Sequence, residues 1–251
     1  MKKGEIVKLG EHRLMCGDAR SERDVKKLVG SDKIKSILTD PPYGVSYVEN
    51  KDWLGMRGQE SERFINHKKI ESDDLVGNDY VKFTEEWIKT SIPFLSKYNS
   101  FYIFNSDSMV CELKKGIGNM GFYYSQMIIW VKNTTVLGRK DYNPQHELIV
   151  YGWYKRHKFE GSKKKSVILH PKPHRSVLHP TMKPIGLLRK LMLNSTKVND
   201  IVYDPLGGSG STLMACEQTK RKCLMIEIDP GYCDVIKERY RKYKEQEKLK
   251  S

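Results

Sequence analysis

Between Ile201 and Lys248 the chain alternates apolar and helical segments in a way few folds accommodate. Ile201-Val202-Tyr203-Asp204 reads as a buried strand, Pro205 to Gly210 as a glycine-rich turn, and Ser211 to Thr219 as a helix. Cys223 to Ile228 then reads as a second strand, and Pro230 to about Lys248 as a second helix. This is a βαβ unit. It requires two parallel strands in one sheet, with a helix crossing one face.

The upstream sequence repeats the theme. Ile6–Leu9 and Arg13–Cys16 suggest a hairpin and Glu22–Val29 a helix. Ile34–Thr39 reads as a buried strand that runs into Asp40-Pro41-Pro42-Tyr43-Gly44, where two prolines end any regular element. Residues 46–79 are polar, charged and poorly periodic, and are expected to form a mobile loop. A helix is predicted from about Tyr80 to Leu95, a strand over Phe101–Phe104 and a helix over Ser108–Met120. A strand over Tyr124–Val131 has an antiparallel partner in His146–Tyr151, and Pro184 opens a helix to about Ser195. The expected fold is an α/β sandwich with a mostly parallel sheet, whose ligands bind at the carboxyl ends of its strands.

A chain of 251 residues suits one large domain. No apolar run approaches the ~18 residues of a membrane span. The amino terminus lacks the apolar core of a secretion signal, which predicts a cytoplasmic protein. Five cysteines without a Cys-x-x-Cys pair read as reduced, mostly core residues. His170, His174 and His179 have no cysteine beside them and are broken up by prolines, so no metal is expected. Forty-five Lys and Arg against thirty-one Asp and Glu leave a net charge of +14, the sign that suits a phosphate-binding surface. The excess is concentrated between Lys155 and Arg175, a basic stretch that also contains Arg156, Lys163, Lys164 and Lys165. The basic residues from Lys237 to Lys250 alternate with acids and read as a solvated helix face.

Gly207, Gly208 and Gly210 lie between a strand and a helix, where missing Cβ atoms let backbone approach a ligand. Glu227, nineteen residues past Gly208, ends the next strand and can accept hydrogen bonds from both ribose hydroxyls of a nucleoside. The dinucleotide fingerprint Gly-x-Gly-x-x-Gly is not met, because Leu213 occupies its third glycine position.

The segment Asp204-Pro-Leu-Gly-Gly-Ser-Gly-Ser-Thr212, with Cys216-Glu217-Gln218 and Ile226-Glu227-Ile228-Asp229-Pro230, resembles the S-adenosylmethionine site of amino-DNA methyltransferases. The resemblance implies that Asp204 and the loop of Leu206, Gly207, Gly208, Ser209 and Gly210 hold the methionine end of that cofactor. Glu227, with Asp229 just beyond it, would hold the ribose. Leu206 departs from the family, which usually has Phe there. Glu11–Asp18 resembles the family strand whose Asp contacts the cofactor's adenine, here Asp18. Asn143-Pro144-Gln145-His146-Glu147 resembles a segment near the target base. His179–Pro184 resembles the turn where Thr181 and Lys183 meet the cofactor's carboxylate.

Asp40-Pro41-Pro42-Tyr43 resembles the family's catalytic tetrad. An exocyclic amine is a poor nucleophile because its lone pair is delocalised into the ring. Acceptors at the Asp40 carboxylate and the Pro41 carbonyl would shift it towards tetrahedral geometry, and Tyr43 would stack on the base. The tetrad precedes the glycine loop, a circularly permuted order that resembles the beta class, whereas RNA and protein enzymes with similar tetrads usually place the loop first. An Asp at the head of the tetrad resembles adenine-N6 enzymes; cytosine-N4 enzymes, the alternative, more often carry Ser. The implied organisation is a Rossmann-like domain with a catalytic half at 1–150, a small basic target-recognition insert at 151–178 and a cofactor half at 179–251. Lys155, Arg156, Lys163, Lys164, Lys165 and Arg175 are the expected contacts to double-stranded DNA. A cognate restriction endonuclease and a homodimer are left open as partners.

Overall fold

The computed structural model describes residues 1–42, 74–135, 141–172 and 182–249. Tyr43, Arg175, Thr181, His174, His179 and the part of the expected mobile loop from 46 to 73 lie outside the described residues.

The strands are β1 (Ile6–Leu9), β2 (His12–Cys16), β3 (Ile34–Thr39), β4 (Leu95–Asn105), β5 (Phe122–Val131), β6 (His146–Tyr154), β7 (Val167–Leu169), β8 (Ile201–Asp204) and β9 (Lys222–Glu227). The helices are α1 (Glu22–Val29), α2 (Gly77–Ser91), α3 (Val110–Asn119), α4 (Ile185–Leu193), α5 (Ser211–Thr219) and α6 (Pro230–Lys248). Among the described residues the nine strands form one sheet in the order β1-β2-β9-β8-β3-β4-β6-β5-β7. Only β1 and β6 run against the others, so the sheet is mostly parallel.

Side chains alternate across the strands and divide the core into two layers. On β4, Tyr102 and Phe104 face one way, against Leu187 and Leu191 of α4, Leu213 and Cys216 of α5, and Ile236 of α6. Phe101 and Ile103 face the other, among Leu28 of α1, Trp87 of α2 and Leu113 of α3. Helices therefore cover both faces, and the central strands read as unbroken apolar runs for that reason.

Several boundaries differ from the sequence reading. The helix predicted from Tyr80 begins at Gly77, and Pro93 closes it with a 3-10 turn over Ile92–Phe94. Strand β4 starts at Leu95 instead of Phe101: Leu95 pairs with Ile34 of β3, and after a register shift the pairing resumes at Ser100 opposite Ser36. The region read as an insert starts inside β6, which continues to Tyr154. It also contains a strand that the reading missed, β7, which pairs in parallel with β5 along the sheet edge. Cys111 is exposed, while Cys16, Cys216, Cys223 and Cys233 are buried and free. Among the described residues no helix is long and apolar enough to cross a membrane.

Candidate active site

Strand order decides where chemistry can sit. From β3 the sheet grows towards β4, and from β8 towards β9, so the direction of winding reverses between β3 and β8. Beyond the carboxyl ends of two such strands a crevice opens, which is where ligands bind in sheets of this kind. The polar residues follow the strand order along this edge. Asp18 follows β2, Glu227 ends β9, Asp204 ends β8, Asp40 follows β3, Asn105 ends β4, Glu147 lies at the start of β6 and Lys132 follows β5.

The glycine turn and the two acids beside it are joined by short hydrogen bonds. Gly208 N donates to Glu227 Oε2 at 2.7 Å and Asp229 N donates to Oε1 at 2.8 Å. Gly17 N donates to the Glu227 carbonyl at 3.0 Å, which brings the end of β2 against the end of β9. Gly207 has no room for a side chain, since a Cβ there would lie 2.7 Å from Met225 Cγ. Gly208 has φ +52° with open space where its Cβ would be, so backbone lines the concavity beside Glu227. An acid anchored by backbone donors next to a bare loop fits a nucleoside ribose.

Asp204 is stitched to the neighbouring strand, with Thr39 Oγ1 donating to its Oδ1 at 2.8 Å and Leu206 N at 3.2 Å. Burial pushes the carboxyls of Asp204 and Glu227 up to about 7, against the hydrogen bonds that favour their charged forms. A raised folded-state pKa gives stability that is complete below about pH 4 and is lost as the pH rises through about 7. Asp204→Asn removes that dependence for one group. In ligand-free protein, the stability difference between Asp204→Asn and wild type should shift towards the variant by on the order of 2–3 kcal/mol between pH 5 and pH 8. Urea unfolding at the two pH values measures it; an unchanged difference would show that Asp204 is ionised throughout. Glu147 titrates in the opposite sense and only at lower pH, so it leaves this window undisturbed.

The second half of the site is a chain of charges. Lys183 Nζ lies 2.7 Å from Asp40 Oδ2 and 3.1 Å from Glu147 Oε2, and Lys132 Nζ lies 2.7 Å from Glu147 Oε1. Lys183 and Lys132 are only 7% and 6% exposed. Burial alone would discharge Lys183, but Asp40 and Glu147 reverse the effect and raise its pKa. Burial likewise disfavours the Glu147 carboxylate, yet Lys183 and Lys132 bring its pKa down to about 2.

The remaining expected site residues are distributed unevenly. Pro41 and Pro42 follow Asp40 at the crevice. Asp18 stands at the same edge, but its carboxylate is held by Arg20, whose Nη2 donates at 2.8 Å. Asp229 caps α6, accepting from Gly231 N at 2.7 Å. Leu206 packs with the core layer that contains α1 to α3. Ser209 is buried beside Arg239, which donates to the Ser209 carbonyl at 2.8 Å and to Ser211 Oγ at 3.2 Å. Burial lowers the Arg239 pKa to about 10. This corrects the reading of the basic residues from Lys237 onward as a solvated face, because Arg239 turns inward to hold the glycine loop while Arg241 pairs with Glu238 outside. Lys155 and Arg156 follow the end of β6 at the opposite edge of the sheet from Asp40. There they line a cavity of about 300 Å³ with Lys97 and Asn99. Lys163, Lys164 and Lys165 are exposed just before β7.

Sequence reasoning missed Thr39, Lys132 and Arg239 as parts of the site. Only Thr39 had a local signal, a hydroxyl at the carboxyl end of an otherwise apolar strand directly before Asp40.

Residues 34–238 match the family model described as DNA methylase. Type II methyltransferase M.HpaI of Haemophilus parainfluenzae is 25% identical over 255 residues, covering 91% of this chain and 74% of that protein. A solved M1.HpyAVI–SAM complex superposes with a TM-score of 0.64 at 24% identity, covering 90% of this chain and 98% of that one. The PvuII DNA methyltransferase, described as cytosine-N4-specific, superposes with a TM-score of 0.66 at 17% identity, covering 92% of this chain and 86% of that one. The glycine turn, the acid ending the next strand and the Asp-Pro-Pro exit of β3 all fall within the matched span, and the chain belongs to the DNA amino-methyltransferase family.

Proposed function

We propose that this protein transfers a methyl group from S-adenosylmethionine to the N6 amine of an adenine flipped out of double-stranded DNA. The observation that carries the reading is the adjacency of two differently built acids at the switch point. Asp204 is buried and stitched to Thr39, while Asp40, the next residue, stands half-exposed at the mouth of the crevice.

S-adenosylmethionine supplies an activated methyl group. Glu227 and the loop from Leu206 to Gly210 hold its nucleoside and methionine ends, with Asp18 at the adenine side. Thr181 belongs to the same cofactor reading. Asp40 and the Pro41 carbonyl accept hydrogen bonds from the target amine and orient its lone pair towards the methyl carbon, with Tyr43 stacking on the base. As positive charge develops on nitrogen, the Asp40 carboxylate stabilises it. A base in a duplex cannot reach this crevice, so the target must leave the stack, at a cost of a few kcal/mol. The head of the tetrad, Asp40, favours adenine; cytosine N4 is the alternative acceptor. Offering DNA, RNA and protein the same tritiated cofactor tests the substrate class. Label should enter DNA, and label in RNA or protein alone would overturn the reading.

The basic stretch supplies DNA affinity in this reading. Replacing Lys163, Lys164 and Lys165 with Ala should weaken DNA binding and flatten its salt dependence by up to ~3 units of log–log slope, since fewer counterions are released. Cofactor affinity should not change. A salt slope equal to that of wild type would remove these lysines from the interface.

A further inference from the structure

We propose that Glu147 and Lys132 are positioning residues of the methyl-transfer site, acting on Asp40 through Lys183. The inference rests on the reading of Asp40 as the carboxylate that meets the target amine.

Four separate segments converge here: the exit of β3, the residue before Pro184 and α4, the start of β6 and the end of β5. They bring together Asp40, Lys183, Glu147 and Lys132 in alternating sign, with successive contacts of 2.7, 3.1 and 2.7 Å. The formal charges sum to zero. Aromatic rings wall both ammonium groups, Phe104 at 5.2 Å from Lys183 and Trp130 at 5.2 Å from Lys132. Two ammonium groups so far from water persist only because carboxylates compensate them. Lys183 thereby fixes the position of the Asp40 carboxylate, and Glu147 fixes Lys183. Glu147 also cancels a cation that would otherwise oppose the positive charge developing on the attacking nitrogen. Lys132 in turn balances Glu147.

Charge balance separates this role from simple packing. Glu147→Gln keeps the shape and removes one negative charge from beside Lys183, so single-turnover methylation should slow by ~10- to 100-fold while S-adenosylhomocysteine affinity stays within about twofold. Adding Lys132→Met restores neutrality at the Asp40–Lys183 pair, and the double variant should regain most of the lost rate. If the single variant does not fold, the double is compared with wild type directly and should methylate within about tenfold of it. A Glu147→Gln protein at wild-type rate, or a folded, cofactor-binding double variant at least ~100-fold slower than wild type, would overturn the inference. Asp40→Ala run in parallel distinguishes the two layers. If it retains activity, the reading of Asp40 fails; if it is inactive while Glu147→Gln is unaffected, only the positioning role fails.

Discussion

Asp40→Ala is expected to lower the single-turnover rate of DNA methylation by about 10²–10³, the usual loss when one electrostatic contact to developing charge is removed. Affinity for S-adenosylhomocysteine should barely change, because Asp40 faces the Lys183 side of the crevice while Glu227 and the glycine loop occupy the other. Glu227→Ala gives the complementary result. Without its carboxylate, ribose hydroxyls lose their acceptor and Gly208 N loses its partner, so cofactor binding should weaken by about 1–3 kcal/mol. Calorimetry with S-adenosylhomocysteine and rapid-quench methylation of DNA measure the two losses separately. An Asp40→Ala protein methylating near the wild-type rate would refute the catalytic role.

Lys183→Met should produce the largest loss of stability. The substitution removes a buried cation from between Asp40 and Glu147, leaving both carboxylates poorly solvated and Glu147 with Lys132 beside it. Breaking a buried pair by deleting one partner typically costs about 3–5 kcal/mol, which for a chain of this size lowers the melting temperature by on the order of 10 °C. Methylation should fall with it, since Asp40 is no longer held. Calorimetric melting of the variant at neutral pH tests this, and a melting temperature within a degree or two of wild type would mean that Lys183 is hydrated and unpaired in solution. The sequence resemblance places Lys183 at the cofactor's carboxylate, and in the structure it lies beside Asp40 and Glu147.

The parts of this molecule legible in the sequence are those specified locally. Strand β8 and helices α1, α5 and α6 have the predicted limits, because an apolar run, a glycine turn and an Asp229-Pro230 start are each decided within a few residues. The start of α2 was not legible, since Gly77-Asn78-Asp79 have turn chemistry and join the helix only because Tyr80 and Phe83 bury against the sheet. Strand β7 was hidden for a similar reason. Three residues between a lysine run and Pro171 carry no periodicity, and their conformation comes from pairing with β5. The site divides in the same way. The glycine loop, Glu227 and Asp40 announce themselves by type and spacing. Asp40 and Glu147, which flank Lys183, come from the exit of β3 and the start of β6, so only the sheet order brings them together, and Arg239 is concealed among alternating charges whose neighbours are solvent-exposed.

Nucleoside analysis tests most directly whether this crevice methylates adenine in DNA. DNA incubated with the purified protein and isotopically labelled S-adenosylmethionine is digested to nucleosides and resolved by mass spectrometry. Label is expected in N6-methyldeoxyadenosine, formed by wild-type protein and reduced about 10²- to 10³-fold with Asp40→Ala. Label in N4-methyldeoxycytidine, or none in any nucleoside, would contradict adenine methylation.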